Sequence, residues 1–241
     1  MSVAPRSRPW DEAFDPPIEW LEWANRHALV TRMVAATVHD VSNALQVMSG
    51  AAEMLGLDPG PDAVARRSGS IVQQAMGATA ALQRLTGFSR EPARAAERIE
   101  LRALCDRILQ LRQYALRKGR IAARVAGDDA VVLAPARALS QVLLNLVVNA
   151  EAALADRADA ALSLTVRRDA GLVAVVVHDN GPGLSAAAGE ASSRWPPPAG
   201  ETGALGIGLL VSRALVERAG GTLVLASAPG GGTTATVTLR G

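Results

Sequence analysis

Between Ile18 and Leu55 the chain contains no proline, and its only glycine is Gly50. Apolar residues recur there at Val34, Val38, Val41, Leu45, Met48, Ala52 and Leu55. Steps of three and four place them in one stripe along a long helix. Asp58-Pro59-Gly60-Pro61-Asp62 then breaks the helix and turns the chain. A second stripe follows at Val64, Ile71, Ala75, Ala78, Leu82 and Leu85, and stops near Phe88, before Pro92. Two long one-sided helices joined by a tight turn make a hairpin, which cannot bury both stripes by itself. A second copy is the natural partner, because two hairpins close into a four-helix bundle. The pattern therefore predicts a homodimer through residues 18–90. Residues 1–17, polar and proline-rich up to Pro16-Pro17, are expected to be a flexible arm.

After Pro92 the texture changes, and a separate α/β unit is expected over residues 93–241. Short strands are predicted at Arg98–Leu101, Ile121–Val125 and Val131–Leu133. Helices are predicted at Leu101–Arg117, stopped by Gly119, and at Ala136–Leu154. Ala161–Arg167 and Leu172–His178 form a hairpin around Asp169-Ala170-Gly171. A mobile Ala/Ser/Pro/Gly-rich stretch from Ser185 to Gly203 precedes a helix at Gly206–Ala219. The strands Thr222–Ala226 and Thr234–Leu239 close the chain. With 241 residues, 49% of them hydrophobic and 20% charged, both units can be ordered. The formal net charge of +2 gives no electrostatic argument for nucleic acid. The one cysteine, Cys105, excludes a disulfide within the chain, and its apolar neighbourhood predicts a buried thiol. No apolar run is long enough for a membrane span, and residues 1–10 carry no apolar signal core. A cytoplasmic protein without a membrane anchor is expected.

Three groups of residues in the second unit carry chemistry. Asn145 and Asn149 lie four apart on one face of the 136–154 helix, an arrangement suited to a hydrated divalent cation and phosphate oxygens. Asn is otherwise a poor helix-interior residue, and alone the pair would be surface amides. Asp179-Asn180-Gly181-Pro182-Gly183 follows a strand. Its carboxylate can accept a hydrogen bond from an exocyclic amine, and its glycines permit a turn close to a ligand. Gly206-Ile207-Gly208-Leu209 opens a helix whose bare N–H groups can approach phosphate. Each is weak alone; the ordered set is specific.

In order and spacing these three groups resemble the N, G1 and G2 boxes of the GHKL ATPase superfamily, in the form found in the catalytic domain of sensor histidine kinases. The tail, Gly220-Gly221-Thr222 and Gly230-Gly231-Gly232-Thr233, also fits. The resemblance implies a two-layer α/β sandwich of the Bergerat type behind the helical hairpin, an α+β protein as a whole. It implies ATP and Mg²⁺ as ligands, with Asn149 on the metal, Asp179 on the adenine amine, and Asn145, Gly181, Gly183, Gly206 and Gly208 around the nucleotide. Asn145 stands where ATP-hydrolysing relatives carry a glutamate base. An amide cannot be that base, which favours phosphoryl transfer over hydrolysis. Two departures are visible. Ala204 replaces an expected glycine, and the lid has no phenylalanine box, the only phenylalanines being Phe14 and Phe88. Trp195 is a candidate substitute anchor.

Of the three histidines, His178 adjoins Asp179 with no implied chemistry, and His27 lies early on the first helix, where it is expected to be solvated. His39 stands in Val38-His39-Asp40-Val41-Ser42-Asn43-Ala44-Leu45 and resembles the phosphoacceptor box of the same family. The resemblance gives His39 the attacking imidazole and Asp40 the role of base or orienter. It gives Asn43 the water that removes phosphate from a partner's aspartate. The usual proline is replaced by Ala44, so a straighter helix is expected here. The implied partners are a response-regulator receiver domain and a second copy of the chain; since residues 1–17 have no room for a normal sensor domain, a separate sensory protein or that short arm is expected to supply any input. Two alternatives remain: a histidine phosphotransferase with a degenerate nucleotide site, suggested by Ala204 and the lid, and a GHKL ATPase or serine kinase.

Overall fold

The computed structural model describes residues 17–57, 60–90, 96–184, 205–227 and 231–241. The arm up to residue 16, Asp58-Pro59, and the stretch carrying Trp195 and Ala204 lie outside the described residues. Helix α1 runs from Ile18 to Leu57 and α2 from Pro61 to Arg90. Strand β1 (Glu97–Glu100) leads into α3 (Leu101–Lys118), which ends at Gly119 as expected from the sequence. Strands β2 (Ala122–Gly127) and β3 (Val131–Ala134) precede α4 (Ala136–Ala153). The hairpin β4 (Ala161–Asp169) and β5 (Leu172–Asp179) is followed by α5 (Leu205–Arg218), β6 (Thr222–Ser227) and β7 (Thr233–Arg240).

The main sheet has the order β2-β4-β5-β7-β6, with β2 parallel to β4 and the other pairs antiparallel. A separate two-stranded ribbon joins β1 to β3. Alternation along the strands decides which side is covered. Leu162, Leu164 and Val166 of β4, Val173, Val175 and Val177 of β5, and Ala235, Val237 and Leu239 of β7 are all buried. They share one core with Leu104 and Ile108 of α3, Val142 and Val147 of α4, and Val211 and Val216 of α5. The β4–β5 turn uses Ala170 (φ 44°) and Gly171 (φ 82°), the two positive φ values of a two-residue hairpin turn. The result is a helical hairpin followed by a two-layer α/β sandwich. Among the described residues no helix is long and apolar enough to cross a membrane.

One feature of the packing has no counterpart in the sequence stripes. Leu21, Leu29 and Met33 of α1 and Phe88 of α2 are buried in the same core as the sandwich. The first half of α1 lies across α5, α3 and α4. At 100° per residue, Leu21, Asn25 and Leu29 fall on the side of α1 opposite Val34, Val38 and Leu45. The helix thus has two apolar faces: one docked on its own sandwich, and one exposed.

Candidate functional site

Asp179 ends β5 with its side chain 5% exposed. Its Oδ1 accepts hydrogen bonds from the backbone N–H of Gly181 (2.9 Å) and Thr233 (3.3 Å). Among the described residues both bonds fall on Oδ1, which leaves Oδ2 to accept from a ligand donor. The turn is tight enough to need glycine. A Cβ on Gly181 would lie 2.8 Å from Asp179 Oδ1 and 3.1 Å from Ala153 O. Gly183 (φ +84°) passes under Gly232 O, and Leu184 N–H donates to Ser227 Oγ (3.2 Å). Gly232 (φ +95°) crosses so close behind that its Cβ would sit 2.0 Å from Asp179 O. Gly232 and Thr233 therefore build the wall that aims Asp179. His178 faces the adjacent strand, with Nδ1 3.2 Å from Thr234 Oγ1.

The two asparagines of α4 differ in partners. Asn149 Nδ2 is buried and has no hydrogen-bond partner. A buried amide group without a partner costs about 1–3 kcal/mol unless a ligand completes it. With the glycine-lined turn beside Asp179, this donor fits an acceptor atom of a nucleotide, and the amide oxygen of the same side chain is the group that could meet a cation. Among the described residues no three carboxylates, imidazoles or thiols cluster as metal ligands. A divalent cation here would rest on the Asn149 amide, on nucleotide oxygens and on water, which suits Mg²⁺. Asn145, by contrast, is 3% exposed and fully engaged. Its Nδ2 donates to Asn25 Oδ1 (3.0 Å), Gly208 O (3.1 Å) and Ser212 Oγ (3.1 Å), and its Oδ1 accepts from Asn25 Nδ2 (3.0 Å). Gly208, in the first turns of α5, makes room for this amide: a Cβ there would meet Asn145 Oδ1 at 3.2 Å and Asn25 Nδ2 at 3.6 Å. Gly206 lies two residues earlier in α5.

The hairpin residues stand elsewhere. His39 is exposed on α1, with its ring 4.4 Å from that of Tyr114 on α3. Its Nδ1 is 3.0 Å from Asn43 Nδ2, one turn on. Asp40 is half-buried, in a cleft shared with Arg84, Gln110 and Tyr114. His27 is exposed and held through Nδ1 to Trp23 O (2.8 Å). A cleft of about 430 Å³ between α2 and α3, lined by Gln83, Arg84, Phe88, Arg107 and Ile108, contains none of the nucleotide-motif residues. Asn25 touches Asn145, and His39 lies fourteen residues further along the same helix. At 1.5 Å per residue that is about 21 Å, so this arrangement does not bring His39 to Asn145.

Asn25, Gln141, Ser212, Tyr114, Gly232 and Thr233 all shape the site without having been marked by the sequence as site residues. Gly232-Thr233 alone carried a signal, as part of a glycine tail that fits the family. The others are polar or aromatic residues on helices, whose partners are set only by packing across the fold.

Residues 134–241 match the family described as histidine kinase-, DNA gyrase B- and HSP90-like ATPase. The chain is 29% identical over 222 residues to the C4-dicarboxylate transport sensor protein DctB of Rhizobium meliloti, covering 90% of this chain and 35% of that protein. It is 32% identical over 235 residues to the virulence sensor protein BvgS of Bordetella bronchiseptica, covering 87% of this chain and 18% of that one. The chain thus spans about a third or less of the length of these relatives. The catalytic domain of histidine kinase ThkA superposes with a TM-score of 0.55 at 24% identity, over 61% of this chain and 96% of that structure. That likeness fixes the fold of the sandwich.

Proposed function

We propose, for a chain whose residues 134–241 match the histidine kinase-, DNA gyrase B- and HSP90-like ATPases and which is similar over most of its length to sensor proteins, that it is the kinase core of a two-component system. In this reading residues 93–241 bind Mg·ATP, and residues 18–90 dimerise and carry the phosphoacceptor His39. Asp179 accepts from the adenine amine, Asn149 ligates the cation, and Gly181, Gly183, Gly206 and Gly208 let the backbone approach the nucleotide. The cation neutralises charge on the phosphate oxygens when bound.

The observation that carries the reading is the His39–Asn43 pair. Asn43 Nδ2 stands 3.0 Å from His39 Nδ1; with the amide turned so that its oxygen accepts from Nδ1–H, Nε2 is the nitrogen with a lone pair for phosphorus. Nε2 is nucleophilic only in the tautomer protonated at Nδ1, so Asn43 must present its carbonyl oxygen to that proton during transfer. His39 Nε2 then forms a bond to the γ-phosphorus of ATP as the bond to the bridging oxygen breaks, and ADP leaves. Asp40 accepts or orients the proton released from the ring. The phosphoryl group passes next to an aspartate of a response-regulator receiver domain, with a separate sensory protein as a source of input.

The test is incubation with γ-labelled ATP and Mg²⁺. Label that is acid-labile, alkali-stable and reduced to background in His39→Gln is expected. Absence of label together with absence of nucleotide binding would favour the phosphotransferase alternative. Label that survives His39→Gln would sink the assignment of His39.

A further inference from the structure

We propose that the cleft between α2 and α3 is a binding site for a small organic acid, a carboxylate carried on an apolar chain. The site is separate from the nucleotide motifs, and its occupancy does not depend on the kinase reading above.

Two helix faces of matching spacing build the cleft. Ala80, Gln83, Arg84 and Gly87 line it from α2, and Leu104, Arg107, Ile108 and Leu111 line it from α3. Steps of three and four put each set on one side of its helix. Ala80 and Gly87 carry almost no side chain, so the two faces do not close on each other. A Cβ placed on Gly87 would meet nothing within 4 Å. The floor is sealed, because Leu104 and Ile108 are each 1% exposed and Phe88 is 5% exposed. The enclosed space is about 430 Å³. Small-molecule sites usually hold roughly 300–1,000 Å³.

The rim decides the class of ligand. Arg84 stands on one wall and Arg107 on the other, and none of the described residues lining the cleft is acidic. Neither arginine has a hydrogen bond or an ion pair among the described residues. Two like charges beside an apolar floor repel with little screening, and an anion between them relieves that repulsion. Each guanidinium fork matches the two oxygens of a carboxylate. A phosphate dianion fits less well. Gly87 and Phe88 lie in the last turn of α2, which ends at Arg90. The carbonyls of a helix C-terminus carry partial negative charge, and they oppose two charges more than one. The floor of Leu104, Ile108 and Phe88 supplies the other half of the site, since an apolar chain laid on it leaves water. A ligand with only one of these two parts forgoes the other part's contribution.

The experiment titrates the full chain with decanoate, below its micelle concentration, by isothermal calorimetry at pH 8. One site per chain is expected. Arg84→Gln and Arg107→Gln should each weaken binding about tenfold. Gly87→Leu fills the opening with a good helix former and should abolish binding. Decanol lacks the charge and succinate lacks the chain, so each should bind about tenfold more weakly or worse. Thermal melting by circular dichroism shows which variants keep the parental fold, and the ligand series on the parent chain stands without any variant. No heat with the parent, or equal affinity for decanol, would overturn the site. Unchanged affinity in Gly87→Leu would overturn it too, and would place the chain on the exposed stripe of the hairpin. Decyl phosphate binding more tightly than decanoate would overturn the carboxylate as the head group.

Discussion

Of the hairpin's apolar side chains among the described residues, only Leu21, Leu29, Met33, Ala44, Ala81 and Phe88 are buried. Val34, Val38, Leu45, Val47, Met54, Leu57, Val64, Val72, Met76 and Leu82 stand exposed. In the sandwich the exposed large apolar residues among those described are Leu133, Leu172 and Val224. The sandwich has completed its core within one chain, whereas the hairpin has not. An exposed apolar stripe such as Val34, Val38 and Leu45 on α1 is a surface made to be covered. The difference also separates two kinds of stability. The sandwich should depend on its own packing and the hairpin on protein concentration.

The largest effect that would sharpen this contrast is expected from Gly232→Ala. Its Cβ would lie 2.0 Å from Asp179 O, and φ is +95°, so both the strand end and the turn must move. A loss of about 2–4 kcal/mol is expected, confined to the sandwich, with nucleotide binding lost as Asp179 shifts. Urea unfolding and a nucleotide-binding titration measure it. An unchanged midpoint with unchanged affinity would mean that Gly232 does not build the wall behind Asp179.

Leu45→Asp tests the other side. Leu45 is 54% exposed in the single chain, and two copies facing one another across a bundle would bury an unpaired carboxylate at each. A weakening of dimerisation by roughly 100-fold or more is expected, read by sedimentation across a concentration series. Nucleotide binding should hold. A parental dimer would place the interface away from the Val34–Leu45 stripe.

The same contrast explains what the sequence could reveal. The stripe at Val34, Val38 and Leu45 was legible because periodicity marks a face that must be covered, whatever covers it. The Asp179–Gly183 turn was legible because glycine leaves a chemical trace wherever backbone comes close. The docked face of α1 left no such trace. Leu21, Asn25, Leu29 and Met33 mix polar with apolar residues, and their partners Gln141, Asn145 and Ser212 lie more than a hundred residues away. Asn145 was legible as an unusual helix-interior amide, yet the structure gives it Asn25 as a partner. Spacing reports that a side chain needs a partner; only packing decides which one.

Cys105 offers the smallest perturbation and a way to watch the sandwich alone. It lies on α3 at 0% exposure, and burial, with a further contribution from Asp106, pushes its thiol from 9.0 up to about 12. The sign follows from that shift. The folded thiol holds its proton where the unfolded thiol loses it, so this group's contribution is intact below about 9 and is lost as pH rises towards about 12. At pH 8 a maleimide should therefore react with Cys105 only through opening of the sandwich. In Leu45→Asp the labelling rate should stay within about twofold of the parent, because the sandwich does not need the dimer. In Gly232→Ala it should rise in proportion to the lost stability, about tenfold for each 1.4 kcal/mol. Equal acceleration in both variants would mean that the sandwich draws its stability from the dimer, and the contrast between the two units would fail.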